Sequence, residues 1–171
     1  MKKLVSFIIA LALALCPLYA SAATADEFDP ASVSTPYVCL IDAGSGAVLY
    51  EKNSHEQAYP ASTTKIMTCI LAIEMCEDIN ETVTVGENVE TRGSVINIVR
   101  NEQMPLIDLL YGMMLESGND AAKAIAEHFA QSESAFAELM TQKAQSLGMT
   151  DTHLTKANGL HKEEHYTTAY D

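Results

Sequence analysis

The run from Ala61 to Glu77, "ASTTKIMTCILAIEMCE", limits what this chain can become more than any other stretch. Ile66, Met67, Ile70, Leu71, Ile73 and Met75 carry apolar side chains round nearly the whole circumference of a helix. A helix without a polar face belongs in the middle of a protein, and Pro60 stands where prolines commonly open one. Into this company the sequence puts Lys65, whose ammonium is costly to bury unless it reaches water or is used. Ser62, three residues earlier, shares its helix face, about 4.5 Å away along the axis. Long helical side chains lean toward the N-terminus, which aims the Lys65 amine at the Ser62 hydroxyl. Burial drives a lysine toward its neutral form, a usable base near neutral pH. Unpaired backbone N–H groups in the first turn favour negative charge, and the N–H of Ser62 is placed to hold an oxyanion. Four residues can therefore supply a nucleophile, a base and half an oxyanion hole. The same S-x-x-K also arises as a helix cap followed by a solvated lysine, and alone it does not separate the two.

The elements around this helix describe a mixed fold. Tyr37 to Ile41 and Ala47 to Tyr50 are apolar runs flanking Ala43-Gly44-Ser45-Gly46, the pattern of a β-hairpin. Residues 81 to 104 are mixed, with "TVTV" strand-like. Pro105 to Leu115 is a second apolar helix, interrupted by Ser117-Gly118-Asn119, and a third helix is expected from about Asp120 to Phe129. A fourth runs from about Ser134 to Leu147, with Phe136, Leu139, Met140 and Leu147 on one face and Gly148 as its stop. The remainder, "KANGLHKEEHYTTAYD", is loop-like and ends in what resembles the opening of another helix.

Before this comes a segment with a different logic. Lys2 and Lys3, an apolar stretch from Leu4 to Leu15 and the small residues Ala20-Ser21-Ala22 describe a secretory signal peptide over residues 1–22. The apolar stretch is short for a membrane span. Cys16 is a poor lipidation site between Leu15 and Pro17. Residues 23–36 are small and polar, a flexible lead-in, so the domain is expected over 37–171. Without residues 1–22 the chain carries 8 basic and 23 acidic side chains, a formal charge of −15, which repels nucleic acid. Three cysteines then remain, Cys39, Cys69 and Cys76, an odd number that makes a poor disulfide framework. They read as small buried apolar residues.

Ser117-Gly118-Asn119 by itself is an ordinary turn composition. Joined to Ser62 and Lys65 it offers a second hydroxyl to relay a proton and an amide to hold both lysine and a substrate carbonyl. The pairing of S-x-x-K with S-x-N resembles penicillin-binding proteins and serine β-lactamases. More narrowly, "LIDAGSGAVLYEKN", "YPASTTKIMT", "DLLYGMMLESGNDAA", "LGMTDTH", "NGLH" and "HYTTAYD" are similar, in order, to the secreted serine-type D-alanyl-D-alanine carboxypeptidases, from Tyr37 to Asp171. The resemblance implies an α+β transpeptidase fold, an antiparallel sheet with a helical subdomain, incomplete at its C-terminal end. It implies Ser62 as nucleophile, Lys65 as base, Ser117 as proton relay and Asn119 as substrate-binding residue, with no metal or organic cofactor. The implied substrate is a peptidoglycan stem peptide, the implied covalent inhibitors are β-lactams, and the implied location is the cell envelope beyond the cytoplasmic membrane. A full-length form would associate peripherally with the membrane.

The family's third motif, Lys-Thr-Gly, does not occur in the sequence, nor do most of the sheet strands expected beside it. The resemblance is therefore to a truncated enzyme. The main alternative is an inert fragment or degenerate relative that binds peptidoglycan or a partner without turnover; a β-lactamase is a further one. His161, Glu164 and His165 spell H-x-x-E-H, a zinc-peptidase signature, but in a loop after Asn158-Gly159, where the histidines do not share a helix face. His55, His128 and His153 are scattered and read as structural or surface residues.

Overall fold

The computed structural model describes residues 28–171, so the expected signal peptide lies outside the described residues. The segment before Thr35 contributes one 3₁₀ turn, Pro30–Ser32, capped by Asp29. A compact unit runs from Thr35 to Asp171. The hairpin forms as the sequence predicts: β1 (Val38–Ile41) pairs antiparallel with β2 (Val48–Lys52), and the register shifts between Leu40 and Ile41. Asp42 closes its turn by accepting from the N–H and hydroxyl of Ser45. No residue of either strand is buried.

Four helices form the body. α1 spans Thr64–Met75, α2 Leu106–Leu115, α3 Asn119–Ala130 and α4 Glu133–Ser146. A second two-stranded sheet, β3 (Thr82–Thr84) with β4 (Gln103–Pro105), seats Val83 in the core. The sequence marks β3 but not β4, because Gln103-Met104-Pro105 is short and has no alternation. The core joins Met67 and Leu71 of α1, Leu106, Leu109 and Met113 of α2, Ala122 and Ile125 of α3, and Phe136 and Met140 of α4. The small residues of α3 (Ala121, Ala122, Ala124, Ala126) are essentially inaccessible, which lets its neighbours approach closely.

Three expectations are corrected. α1 is covered on one side only: Met67 and Leu71 are buried, while Ile66 and Ile73 are more than half exposed. On α4 the buried face is Phe136, Ala137, Met140 and Ala144; Leu147 falls at the C-cap, beyond the packed turns, and is exposed. Cys39, Cys69 and Cys76 are free and half-buried rather than buried. The ends of α4 behave as the sequence predicts, with Ser132 accepting from the N–H of Ala135 and Gly148 following at φ +90°.

Candidate active site

Ser62 lies in a 3₁₀ turn, Ala61–Thr63, that leads directly into α1. It is therefore not on the α-helix itself, as its spacing from Lys65 had suggested, but the tighter turn still presents it to the lysine. Lys65 Nζ stands 3.2 Å from Ser62 Oγ. The preceding residue, Ala61, has φ +47°, and Ser117 has φ +56°, a region costly for residues with a Cβ. Both hydroxyl-bearing turns thus hold a strained backbone, a feature that concentrates at functional sites.

Ser117 occupies the turn between α2 and α3. Gly118 donates to the Gly112 carbonyl (3.1 Å) and Asn119 to the Ser94 carbonyl (2.8 Å), fixing the turn from both sides. The Ser117 hydroxyl reaches Ser62 Oγ at 2.9 Å. Asn119 opens α3, and its Oδ1 accepts from Lys65 Nζ at 2.8 Å while its Nδ2 donates to the Arg92 carbonyl at 2.7 Å. The four residues singled out from the sequence, two pairs more than fifty positions apart, form one hydrogen-bonded group.

Lys65 is 2% exposed, yet no carboxylate lies within ion-pair distance of it among the described residues. Its third contact is the Asn158 carbonyl at 2.9 Å. Burial pushes its ammonium below the ordinary lysine range. In the neutral state two N–H bonds serve Asn119 Oδ1 and Asn158 O, and the lone pair is left for the Ser62 hydroxyl. That arrangement can take a proton from Ser62 without moving a heavy atom.

Residues to which the sequence assigns no part beside Ser62 complete the group. Thr68, one turn beyond Thr64, donates to the Ala157 carbonyl at 2.7 Å, so Lys65 and Thr68 grip consecutive carbonyls of one loop. Gly159, at φ +79°, passes so close to the Ser62 turn that a Cβ there would stand 1.9 Å from the Ala61 carbonyl oxygen. His165, 1% exposed, accepts from the Thr155 N–H at Nδ1 (2.9 Å) and contacts Thr64 Oγ1 through Nε2 (2.8 Å). A backbone N–H can only donate, so Nδ1 is bare and the proton of the neutral ring sits on Nε2. Asp120, 3% exposed, accepts from the N–H groups of Ile96, Ile98 and Ala121 at 3.0, 3.2 and 2.9 Å. It thereby fastens the loop around Ile96 and Ile98 to the N-terminus of α3, next to Asn119. The i, i+4 threonines of an apolar helix and the invitingly short Asn-Gly were the available signals for Thr68 and Gly159.

Ser62, Asn119, Asn158, Gly159, Leu160 and Tyr59 line an open cleft of about 220 Å³. His161 edges onto the Tyr59 ring at its rim, with centroids 4.6 Å apart. The zinc signature does not assemble here. His165 points inward with both nitrogens engaged while His161 faces the cleft mouth, and no group of three metal-binding side chains forms among the described residues.

Residues 22–171 match the D-alanyl-D-alanine carboxypeptidase family. Among curated relatives the chain is similar to the D-alanyl-D-alanine carboxypeptidase DacF of Bacillus subtilis, 39% identical over 137 residues, covering 77% of this chain and 35% of DacF. Among solved structures it is similar to the carboxypeptidase DacD from Francisella tularensis, with a TM-score of 0.76 at 35% identity over 81% of this chain and 35% of that one. It also matches penicillin binding protein 5 from Haemophilus influenzae, with a TM-score of 0.77 at 30% identity over 84% and 44%. The chain thus spans between about a third and somewhat under half of the length of these relatives. The α+β fold expected from the sequence is the fold of these neighbours, of which the four helices and two small sheets form a part.

Proposed function

The chain belongs to the D-alanyl-D-alanine carboxypeptidase family, and on that premise we propose that it carries the nucleophile half of a serine acyl-enzyme hydrolase acting on the terminal D-alanyl-D-alanine of peptidoglycan stem peptides. The observation that carries the reading is the Lys65 amine, buried without a counter-charge among the described residues and 3.2 Å from Ser62 Oγ. Ser62 Oγ attacks the carbonyl between the two D-alanines as its proton passes to neutral Lys65. The Ser62 N–H stabilises the oxyanion. Collapse expels D-alanine, whose amine takes its proton through the Ser117 hydroxyl, 2.9 Å from Ser62. Asn119 holds the lysine and offers the second N–H of its amide to the substrate. Water, deprotonated by Lys65, then cleaves the ester, and no metal or organic cofactor enters these steps. β-Lactams, which imitate the dipeptide, acylate Ser62 in the same way and are released slowly.

The same reading assigns residues 1–22 to export and the protein to the cell envelope, with peripheral membrane association in a longer form. The absence of Lys-Thr-Gly from the 171 residues favours a second reading for this chain by itself, namely binding without turnover. Intact mass after incubation with benzylpenicillin separates the two. A single penicilloyl adduct, absent from Ser62→Ala, is expected from the first reading. A folded chain that stays unmodified means that Ser62 is not an activated nucleophile here.

A further inference from the structure

The loop from Thr152 to Thr168 is fastened to the start of α1 at several points. Thr68 holds the Ala157 carbonyl, Lys65 the Asn158 carbonyl, and Ala58 and Thr167 exchange backbone bonds of 2.8 and 2.9 Å. Glu133 of α4 accepts from the Ala157 N–H at 3.2 Å. His165 is placed differently, because it reaches both ways from inside the loop: one nitrogen to Thr155 within it, the other to Thr64, which separates the Ser62 turn from Lys65.

We propose that His165 is a positioning residue for acyl transfer at Ser62, setting where the Asn158 carbonyl stands against the Lys65 amine. The inference rests on the reading of Ser62 as nucleophile. The direction of the lysine lone pair is decided by the two acceptors that occupy its N–H bonds. Asn119 Oδ1 is fixed by α3, whereas the Asn158 oxygen belongs to a loop and is only as well placed as the loop. Through its Nε2 bond to Thr64, His165 ties the loop to α1 and closes a ring of contacts that runs from Thr64 along the loop to Asn158 and back through Lys65. Its Nδ1 bond to Thr155 stays within the loop and sets the orientation of the imidazole. Only the neutral ring with its proton on Nε2 satisfies both partners. Burial, and then electrostatic repulsion from the His153 and Lys156 side chains, pushes its pKa down to about 4, so this form persists through neutral and mildly acidic conditions. Of the other charged groups of the loop, Lys162 and Glu164 pair with each other at 3.5 Å and Glu163 is exposed, and His161 faces the cleft rather than this ring.

Two conservative variants each imitate one half of the imidazole. His165→Gln brings an amide N–H to the Nε2 position and keeps the Thr64 bond; His165→Asn brings a carbonyl to the Nδ1 position and keeps the Thr155 bond. Each loses one hydrogen bond, so their urea midpoints are expected to be alike. Their rates of penicilloyl formation, followed by intact mass, are expected to differ: His165→Gln within about threefold of the unaltered chain, His165→Asn slower by about tenfold or more. Equal slowing of both variants, or no slowing of His165→Asn, overturns the proposal. If the unaltered chain forms no adduct, the acyl-transfer reading has failed, and the His165 inference is decided on Lys65 alone by its carbamylation with cyanate. Slower carbamylation in His165→Asn than in His165→Gln, as the loosened loop admits water and the amine regains its proton, supports the positioning role; equal rates overturn it.

Discussion

Replacing Gly159 by Ala tests whether the Ser62 turn is held by contact with the neighbouring loop. The new Cβ would lie 1.9 Å from the Ala61 carbonyl oxygen, 2.5 Å from its carbon and 2.8 Å from Thr64 Oγ1. Ordinary carbon–oxygen contact begins near about 3.3 Å, so the two backbones must part by about 1.4 Å. Two costs add: about 1–2 kcal/mol for a Cβ in the left-handed region and about 1–3 kcal/mol for overpacking. Taken near the middle, about 3–4 kcal/mol lowers the melting temperature of a chain this size by about 10 °C. The functional consequence is larger than the thermal one. The Ala61 oxygen and the Ser62 N–H belong to one rigid peptide plane, so pushing the oxygen swings the proposed oxyanion donor away. A displacement of this order costs about 100-fold in acylation by benzylpenicillin. Gly148→Ala is the control: its φ is +90° but its Cβ would meet nothing within 4 Å. It should melt only a few degrees lower, by the strain alone, and acylate normally. If the two variants melt together and Gly159→Ala acylates like the unaltered chain, the contact between the loop and the Ser62 turn does not constrain the site and the reasoning fails.

Lys65→Gln should reduce penicilloyl formation by about 100-fold or more through loss of the base. It should also flatten an alkaline trend. Because Lys65 titrates below its ordinary value of 10.5 when folded, the unfolded chain binds the extra proton across that window and stability rises with pH there. Urea unfolding of both forms at neutral and alkaline pH measures the difference, and parallel curves would refute the assignment. His165 predicts the opposite limb: its pKa falls from 6.5 to about 4 on folding, so stability drops as pH falls through that interval, by about 3 kcal/mol. His165→Gln should show a shallower acid loss in the same measurement. Asp120→Ala strands the part-buried N–H groups of Ile96 and Ile98 and the buried one of Ala121 and should cost about 2–3 kcal/mol in urea unfolding; an unchanged midpoint would mean that water replaces the carboxylate.

The legible part of this protein is local. Ser62 and Lys65 could be joined on paper because three residues of helical or 3₁₀ backbone place side chains on one face, whichever of the two the chain adopts. Ser117 and Asn119 were legible as a polar interruption between apolar helices. Their union with Lys65 depends on how α3 packs across α1, which spacing alone does not encode. His165 was misleading for the same reason: as text it belongs with His161 and Glu164, whereas the fold turns it inward to Thr64 and Thr155. Gly159 looked like an ordinary turn residue until the Ala61 carbonyl was found against it. Exposure was read least well. The apolar circumference of α1 implied burial all round, but a pattern reports what a helix is suited to touch, and Ile66 and Ile73 are open among the described residues.

That openness has a colloidal side. The β1–β2 hairpin shows Leu40 and Ile41 on one strand and Val48 and Leu49 on the other, all at least 42% exposed. Its ladder pairs with no third strand among the described residues. A short, exposed apolar ribbon is a template for association. What keeps copies apart is the strongly negative charge, whose reach shrinks from about 30 Å at 0.01 M salt to about 8 Å at 0.15 M. The same chain is therefore expected to stay dispersed in dilute buffer and to associate through this exposed apolar ribbon as salt is raised, its solubility set by ions rather than by its fold.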